Sequence, residues 1–172
     1  MKRIVLTGPE SSGKTTLTRD LAARFRLPYA LEYARIYLEK HGPHYDETIV
    51  HEIARGHLAY QQDKVAATAP IAIYDTDLQN FLIWCDVAFG RCESWLSEAA
   101  VAECDHVYLI CLPDLPWEFD PLREAREGRE ELYQKHLATV QATGRDYHVI
   151  SGQGATRLEQ AEKAVMKWLD QG

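Results

Sequence analysis

The sequence lacks the features that mark several classes of protein. It has no run of about 18 apolar residues, so it predicts no transmembrane helix, and its opening residues, MKRIVLTG, lack the apolar core of a secretory signal. Its four cysteines form no Cys-x-x-Cys pair, which is typical of free thiols in a reducing compartment. It also has no internal repeat and no low-complexity segment. We therefore expect a cytoplasmic protein without membrane insertion, and we exclude a disulfide scaffold and a repeat array.

Positive charge is also scarce. Lys and Arg total 19 against 26 Asp and Glu, which gives a formal net charge of −7. Binding to nucleic acid depends on basic stripes that displace counterions, so this composition predicts no nucleic-acid partner. A site for a small anion remains compatible with this net charge, since such a site needs only a few local donors.

The chain has 172 residues, 46% of them hydrophobic, so we expect one globular domain over residues 1–172.

Apolar runs alternate along the chain with segments of helical periodicity. The predicted strands are 3–6, 29–31, 70–74, 106–112 and 147–150. The predicted helices are 15–25, 33–40, 47–67, 78–87, 94–101, 129–143 and 156–169. Continuous apolar strands separated by helices indicate a parallel sheet that is covered on both faces. We therefore expect a three-layer α/β/α fold with five parallel strands and a ligand beyond their carboxyl ends.

The first predicted strand is followed by the phosphate-loop motif G-x-x-x-x-G-K-T, from Gly8 to Thr15. In such a loop the backbone N–H groups converge on phosphate oxygens, and the next helix points its N-terminus at the same anion. The lysine places a positive charge at the β- and γ-phosphates, and the threonine hydroxyl binds Mg²⁺. The motif predicts a P-loop protein that binds a nucleoside triphosphate. A GTPase is disfavoured because the sequence has no Asn-Lys-x-Asp motif.

Carboxylates follow two further predicted strands. Asp75 fits a residue that holds Mg²⁺, and its alternative role is to start a helix. Asp77 fits a catalytic or substrate-binding residue, and its alternative role is to cap the helix that follows. Glu32 fits a general base for a substrate hydroxyl, and its alternative role is an ion pair with Arg35. We expect these side chains to meet at the edge of the sheet where the phosphate loop lies.

The segment 113–128 is rich in proline and charge and has the length of a lid. Arg123, Arg126 and Arg129 are spaced by three residues along it and just after it. Arginines in a lid neutralise the charge that develops on transferring phosphates. The alternative is an exposed helix whose arginines pair with the neighbouring glutamates, which we favour for Arg126.

Aromatic residues are frequent near the same predicted strand ends. Any one of them is more typical of the core than of a ligand contact. Together with Glu32 and Asp77, however, they suit a flat cationic ring, which stacking and cation–π attraction would hold. These residues are Tyr33, Tyr37, Phe81, Trp84 and Trp117.

Five segments, in this order and spacing, resemble the nicotinamide riboside kinase family, the kinase domain of NadR-type proteins. They are GPESSGKTTL at 8–17, EYARxYL at 32–38, DTD at 75–77, LPDxPW at 112–117 and DxLR at 120–123. The resemblance implies a nucleoside-kinase-like P-loop fold with a lid at about 113–128. It also implies a phosphotransferase that uses ATP and Mg²⁺ to phosphorylate the ribose 5′-hydroxyl of nicotinamide riboside, giving nicotinamide mononucleotide.

The resemblance and the residue patterns together predict a set of site residues. The expected catalytic residues are Lys14, Glu32, Asp77 and Arg123. The expected ATP-binding residues are Gly8, Glu10, Ser11, Ser12, Gly13, Lys14, Thr15, Thr16 and Arg129. The expected substrate-binding residues are Tyr33, Arg35, Asp77, Trp84 and Trp117. The expected Mg²⁺ ligands are Thr15 and Asp75.

Two positions depart from the pattern of this family. The chain has Asn80-Phe81 where members often have two threonines, and Asp120-Pro121-Leu122-Arg123 where the lid commonly reads Asp-Gly-x-Arg. Pro121 removes a backbone donor and stiffens the lid. Because both changes fall where the acceptor would be recognised, two alternatives stay open. One is a kinase for thiamine or another nucleoside, and the other is an ATP-binding regulatory module that transfers no phosphate.

Overall fold

Strands and helices alternate along the chain as the sequence predicts. The computed structural model describes residues 2–118 and 127–170. The strands are β1 (Lys2–Thr7), β2 (Tyr29–Ala30), β3 (Ile71–Asp75), β4 (His106–Cys111) and β5 (Tyr147–Ile150). The helices are α1 (Lys14–Phe25), α2 (Tyr33–His41), α3 (Glu47–Lys64), α4 (Leu78–Phe89), α5 (Ser94–Ala102), α6 (Arg129–Ala142) and α7 (Gly154–Asp170). Among these helices, none combines the length and the apolar character that crossing a membrane requires.

The five strands form one parallel sheet in the order β2-β3-β1-β4-β5. The central strand β1 pairs with β3 on one side, where Leu6 lies opposite Asp75, and with β4 on the other. This order brings the segments that follow β1 and β3 out of the sheet side by side. The phosphate-loop motif and the Asp75 carboxylate therefore start from neighbouring strand ends.

The sheet is covered on both faces because successive side chains of a strand point to opposite sides. Ile4 and Leu6 of β1 pack against α1 and α7 on one face, while Val5 packs toward α6 on the other. Helices α2 to α5 form a further apolar cluster around Ile53 and Phe81. The three-layer α/β/α fold is thus confirmed, with one helical cluster beside the sheet.

Candidate active site

A cleft of about 620 Å³ opens where the strands β1 and β3 end. One wall is the phosphate loop, residues 8–16, and the opposite wall combines the start of α2 with one side of α4. The cleft is also lined by Pro43, Tyr45, Leu115, Pro116, Glu118, Leu132 and His136. A second cavity, of about 690 Å³, lies between α4, α5 and α6, but it contains no phosphate-loop residue. The chemistry that the sequence predicts therefore belongs to the first cavity.

The phosphate loop has a backbone that only glycine allows at its first position. Gly8 has a φ of 135°, and a Cβ there would lie 2.5 Å from the carbonyl oxygen of Cys111. Gly13, at a φ of 78°, precedes the first turn of α1. The Lys14 Nζ donates to the carbonyl oxygens of Gly8 and Pro9 at 2.9 and 3.0 Å. The lysine therefore folds back over the loop, and its ammonium group lies where a phosphate bound in the loop would meet it.

Thr15 and Asp75 meet at the base of this loop. The Thr15 hydroxyl donates to Asp75 Oδ2 at 2.6 Å, and the Asp75 side chain is fully buried. Burial raises the pKa of Asp75, and Lys14 and the Thr15 hydroxyl oppose that rise. The other carboxylate oxygen, Oδ1, is buried and accepts no hydrogen bond in the described part of the chain. A hydroxyl beside a partly unsatisfied carboxylate is a donor set that suits Mg²⁺.

Three of the residues predicted for the acceptor side line the cleft. Glu32, the N-cap position of α2, and Arg35 in its first turn both face the cleft. The Arg35 Nε lies 3.0 Å from Glu39 Oε1, one helical turn further on. Trp84 of α4 lines the same cleft and meets the ring of Tyr45 edge-on, with the ring centroids 4.8 Å apart. This wall offers a flat aromatic surface beside a carboxylate and a guanidinium group.

The structure does not bring every predicted substrate residue into the cleft. Tyr33 lies instead beside Gly56 and Tyr60, with a centroid separation of 5.6 Å from the Tyr60 ring. Neither Tyr33 nor Trp117 is among the residues that line the cleft. Phe81 is fully buried in the cluster of α2 to α5. For Tyr33 and Phe81 the packing against neighbouring helices decides the position.

Asp77 lies in the interior beside the start of α4, and its role in catalysis or substrate binding stays a prediction. Its side chain is fully buried and is not part of the cleft wall. The Oδ1 atom accepts from the backbone N–H of Gln79 at 3.0 Å and caps α4. The Oδ2 atom accepts from the Tyr108 hydroxyl at 2.7 Å and from His106 Nδ1 at 3.0 Å. Burial would raise the pKa of Asp77, but His106 and Tyr108 outweigh it and hold the pKa below its usual range. The capping role is therefore the one the geometry supports.

Two arginines outside the cleft donate hydrogen bonds to the backbone of the phosphate loop. Arg129, at the start of α6, donates to the carbonyl oxygens of Glu10 and Ser11 at 3.2 and 3.0 Å. Arg157 of α7 is buried and donates to the Ser12 carbonyl at 2.7 Å, while its other terminal nitrogen lies 2.7 Å from Asp114. Sequence reasoning missed Arg157, whose only signal is a charged residue on the apolar side of a helix. The predicted lid residue Arg123 lies outside the described residues.

His136 is a second residue that sequence reasoning missed. It lines the cleft from α6, and its Nδ1 lies 2.8 Å from the Thr7 hydroxyl. Burial, together with the nearby Lys14 charge, lowers the pKa of His136 to about 3. The imidazole is therefore neutral at physiological pH and adds no charge next to the phosphate loop. Its spacing from Tyr133 and Val140, which are also buried, matches one helical stripe, which by itself indicates only a core position.

Comparison with known proteins gives one family match that covers most of the chain. The model of a family described as AAA domain matches residues 3–157. The trifunctional NAD biosynthesis/regulator protein NadR of Salmonella typhimurium is 31% identical over 128 residues, as is that of Escherichia coli K12. The match covers 72% of this chain and 31% of each relative. The chain thus spans about a third of the length of these relatives.

Solved structures confirm the fold. A NadR protein in complex with NR matches with a TM-score of 0.84 and 23% identity over 96% of this chain and 50% of that one. A NadR protein in complex with NAD and AMP-PNP matches with a TM-score of 0.80 and 21% identity, over 96% and 49%. Thymidylate kinase from Ehrlichia chaffeensis matches with a TM-score of 0.66 and 16% identity, over 98% of both chains. The predicted P-loop fold of the nucleoside-kinase type is therefore confirmed.

Proposed function

We propose that this chain, which belongs to the AAA-domain family, is an ATP-dependent kinase that phosphorylates the ribose 5′-hydroxyl of nicotinamide riboside. The observation that supports this most directly is a single cleft with two kinds of wall. The phosphate loop forms one side, with the Thr15 hydroxyl bonded to the buried Asp75 behind it, and Glu32, Arg35 and Trp84 lie on the other. One cleft can thus hold the triphosphate and the acceptor together, which transfer between them requires. The 31% identical relatives are NAD biosynthesis proteins, which favours this acceptor.

The triphosphate side supplies positive charge and backbone donors. On ATP binding, Lys14 exchanges the carbonyl oxygens of Gly8 and Pro9 for phosphate oxygens, and the N-terminus of α1 faces the same group. Thr15 and Asp75 are the residues that would hold Mg²⁺, which neutralises charge on the β- and γ-phosphates when it is bound. Arg129 fixes the backbone of Glu10 and Ser11 from outside, which keeps the loop in the shape that phosphate requires.

The acceptor side suits a flat ring that carries a positive charge. The Trp84 ring, held edge-on by Tyr45, offers a face for stacking and for cation–π attraction. Glu32 lies on the same wall, and we assign to its carboxylate the role of accepting the proton of a ribose hydroxyl. Asn80, which replaces a family threonine, also lines the cleft. We assign to it a contact with the acceptor through its amide group.

A pair of amide substitutions separates the roles of Glu32 and Asp77. Glu32→Gln keeps the size of the side chain and removes the base, so we expect kcat to fall by about 100-fold. Asp77→Asn is expected to keep kcat within about 10-fold and to lower the free energy of unfolding by about 1–3 kcal/mol, because the buried partners His106 and Tyr108 lose their charged acceptor. Steady-state kinetics and urea denaturation of both variants measure this. The reverse pattern, with kcat lost only in Asp77→Asn, would overturn both assignments.

The proposed function is tested by the products formed from ATP and a panel of acceptors. With Mg²⁺ and nicotinamide riboside we expect ADP and nicotinamide mononucleotide in a 1:1 ratio, quantified by chromatography. Thiamine, uridine and adenosine serve as competing acceptors. Stimulation of ADP release by another acceptor alone would replace the substrate. ATP binding with no ADP release for any acceptor would replace the kinase by a regulatory module.

A further inference from the structure

Two thiols and one imidazole meet at a place outside the cleft. His51 lies in α3, Cys85 lies in α4, and Cys92 lies in the segment that joins α4 to α5. One ligand atom of each residue lies within 4.8 Å of the corresponding atoms of the other two. None of the three residues lines the 620 Å³ cleft. The packing of three separate elements therefore builds a compact set of metal-binding side chains that the phosphate-transfer site does not use.

The His51 side chain lacks the partners that a buried imidazole normally has. It is 4% exposed, and within the described part of the chain neither Nδ1 nor Nε2 makes a hydrogen bond. The Trp95 ring covers one side, with a centroid separation of 5.7 Å. The Glu93 Oε1 lies 4.0 Å from Nε2, too far for a hydrogen bond. Leaving such a group unsatisfied in the interior costs about 1–3 kcal/mol, so the arrangement calls for a ligand at the ring.

The two cysteines are free thiols that face the same space. Cys85 is fully buried, and Cys92 is partly exposed. The Cys92 Sγ lies within 4.8 Å of the Cys85 Sγ and 3.5 Å from the Glu93 carbonyl oxygen. Two sulfurs and one imidazole nitrogen form a soft donor set that selects Zn²⁺ over Mg²⁺ or Ca²⁺. The partly exposed Cys92 leaves an entry path from solvent.

We propose that His51, Cys85 and Cys92 bind one Zn²⁺ ion, with water or the Glu93 carboxylate in the fourth position. Tetrahedral zinc, with Zn–S near 2.3 Å and Zn–N near 2.0 Å, sets its ligand atoms roughly 3.5–3.8 Å apart. The observed spread of up to 4.8 Å closes by rotation of the Cys92 side chain, which lies beyond the last turn of α4. A metal there links α3 to α4 and to the segment that joins α4 to α5.

The thiols bind the metal as thiolates. Burial, with smaller contributions from Cys92 and nearby carboxylates, raises the pKa of Cys85 to about 12. The bound ion itself displaces the thiol proton. Since Trp84 directly precedes Cys85 in α4, the ion would also steady the helix that presents Trp84 to the cleft. The zinc site does not depend on the proposed kinase activity.

Cobalt binding tests the site with a signal that needs no activity assay. We expect the reduced, metal-free protein to bind one Co²⁺ per chain, with a thiolate-to-cobalt charge-transfer band and the intense visible bands of tetrahedral cobalt, and to exchange it for one Zn²⁺. Cys92→Ser and His51→Gln are expected to lower the affinity for Zn²⁺ by at least about 100-fold. The matched control Cys104→Ser, at an exposed free thiol, is expected to leave it unchanged. Zn²⁺ at about 100 times its Kd is expected to raise the Tm of the wild type by about 5–10 °C.

Three results would overturn the proposal. The first is the absence of a thiolate band at one equivalent of Co²⁺ in the reduced wild-type protein. The second is equal Zn²⁺ affinity in the wild type and Cys92→Ser, a partly exposed position where the substitution leaves the core intact. The third is a Cys85–Cys92 disulfide, found by mass spectrometry under non-reducing conditions, together with a reduced form that binds no zinc.

Discussion

Replacing Lys14 with alanine is expected to lower kcat of the proposed kinase by at least about 10³-fold. The Lys14 ammonium lies over the phosphate loop, within 3.0 Å of two loop carbonyl oxygens, and no other lysine is part of the cleft wall among the described residues. Its removal leaves the charge that develops on the transferring phosphate without its main side-chain partner. The measurement is the initial rate of ADP formation at saturating ATP, Mg²⁺ and acceptor.

The fold of the Lys14→Ala variant is expected to survive. Among the described residues, the Lys14 side chain hydrogen-bonds two backbone oxygens of the phosphate loop, those of Gly8 and Pro9, so the free energy of unfolding should change by about 1 kcal/mol or less. Lys163→Ala, at an exposed position of α7, is the matched control for loss of a lysine. Wild-type kcat in Lys14→Ala would contradict the assignment of the phosphate loop as the ATP site.

The fold and the phosphate loop were predictable because their signals are local. Each strand is a short apolar run, each helix has its own periodicity, and the motif from Gly8 to Thr15 follows a strand directly. The strand order places Asp75, the last residue of β3, opposite Leu6 of β1, so that its carboxylate lies next to Thr15. For these residues the local sequence is sufficient to predict where they lie in the fold.

Asp77 is a residue whose role the local sequence does not decide. A carboxylate after a strand and before a helix fits both a catalytic residue and a helix cap, and nothing nearby in the sequence decides between the two. The decision depends on His106 and Tyr108, two residues of β4, which approach Asp77 only in the folded sheet. The side chain is therefore drawn into the interior and away from the cleft.

Arg157 and the group of His51, Cys85 and Cys92 were missed for the same reason. Arg157 reaches the phosphate loop from the last helix, more than a hundred residues along the chain. His51 and the two cysteines show no metal-binding spacing in the sequence. They come together only because α3 packs against α4 in the folded chain. Side chains that meet only when helices pack together form no recognisable motif in the sequence.

Replacing Asp75 with asparagine is expected to change activity and stability in opposite directions. The asparagine keeps an oxygen that can accept from the Thr15 hydroxyl, but it is a much weaker ligand for Mg²⁺ than the carboxylate. We expect kcat to fall by at least about 100-fold and the Mg²⁺ concentration at half-maximal rate to rise. The same variant is expected to be more stable than the wild type at pH 7, by on the order of 1–2 kcal/mol in the free protein, since it removes a buried charge.

The pH dependence of this gain has a definite sign. Burial raises the pKa of Asp75 in the folded state, so the folded protein binds its proton more tightly than the unfolded chain does. Ionisation of Asp75 therefore costs stability as the pH rises from the unfolded pKa, near 3.9, to the folded one. The advantage of Asp75→Asn should grow as the pH rises from the unfolded pKa toward the folded one, and it should vanish below about pH 4. Urea denaturation of both proteins without nucleotide across this range measures the difference. An equal or lower stability of the variant at pH 7 would show that the Thr15 hydrogen bond outweighs the cost of burying the charge.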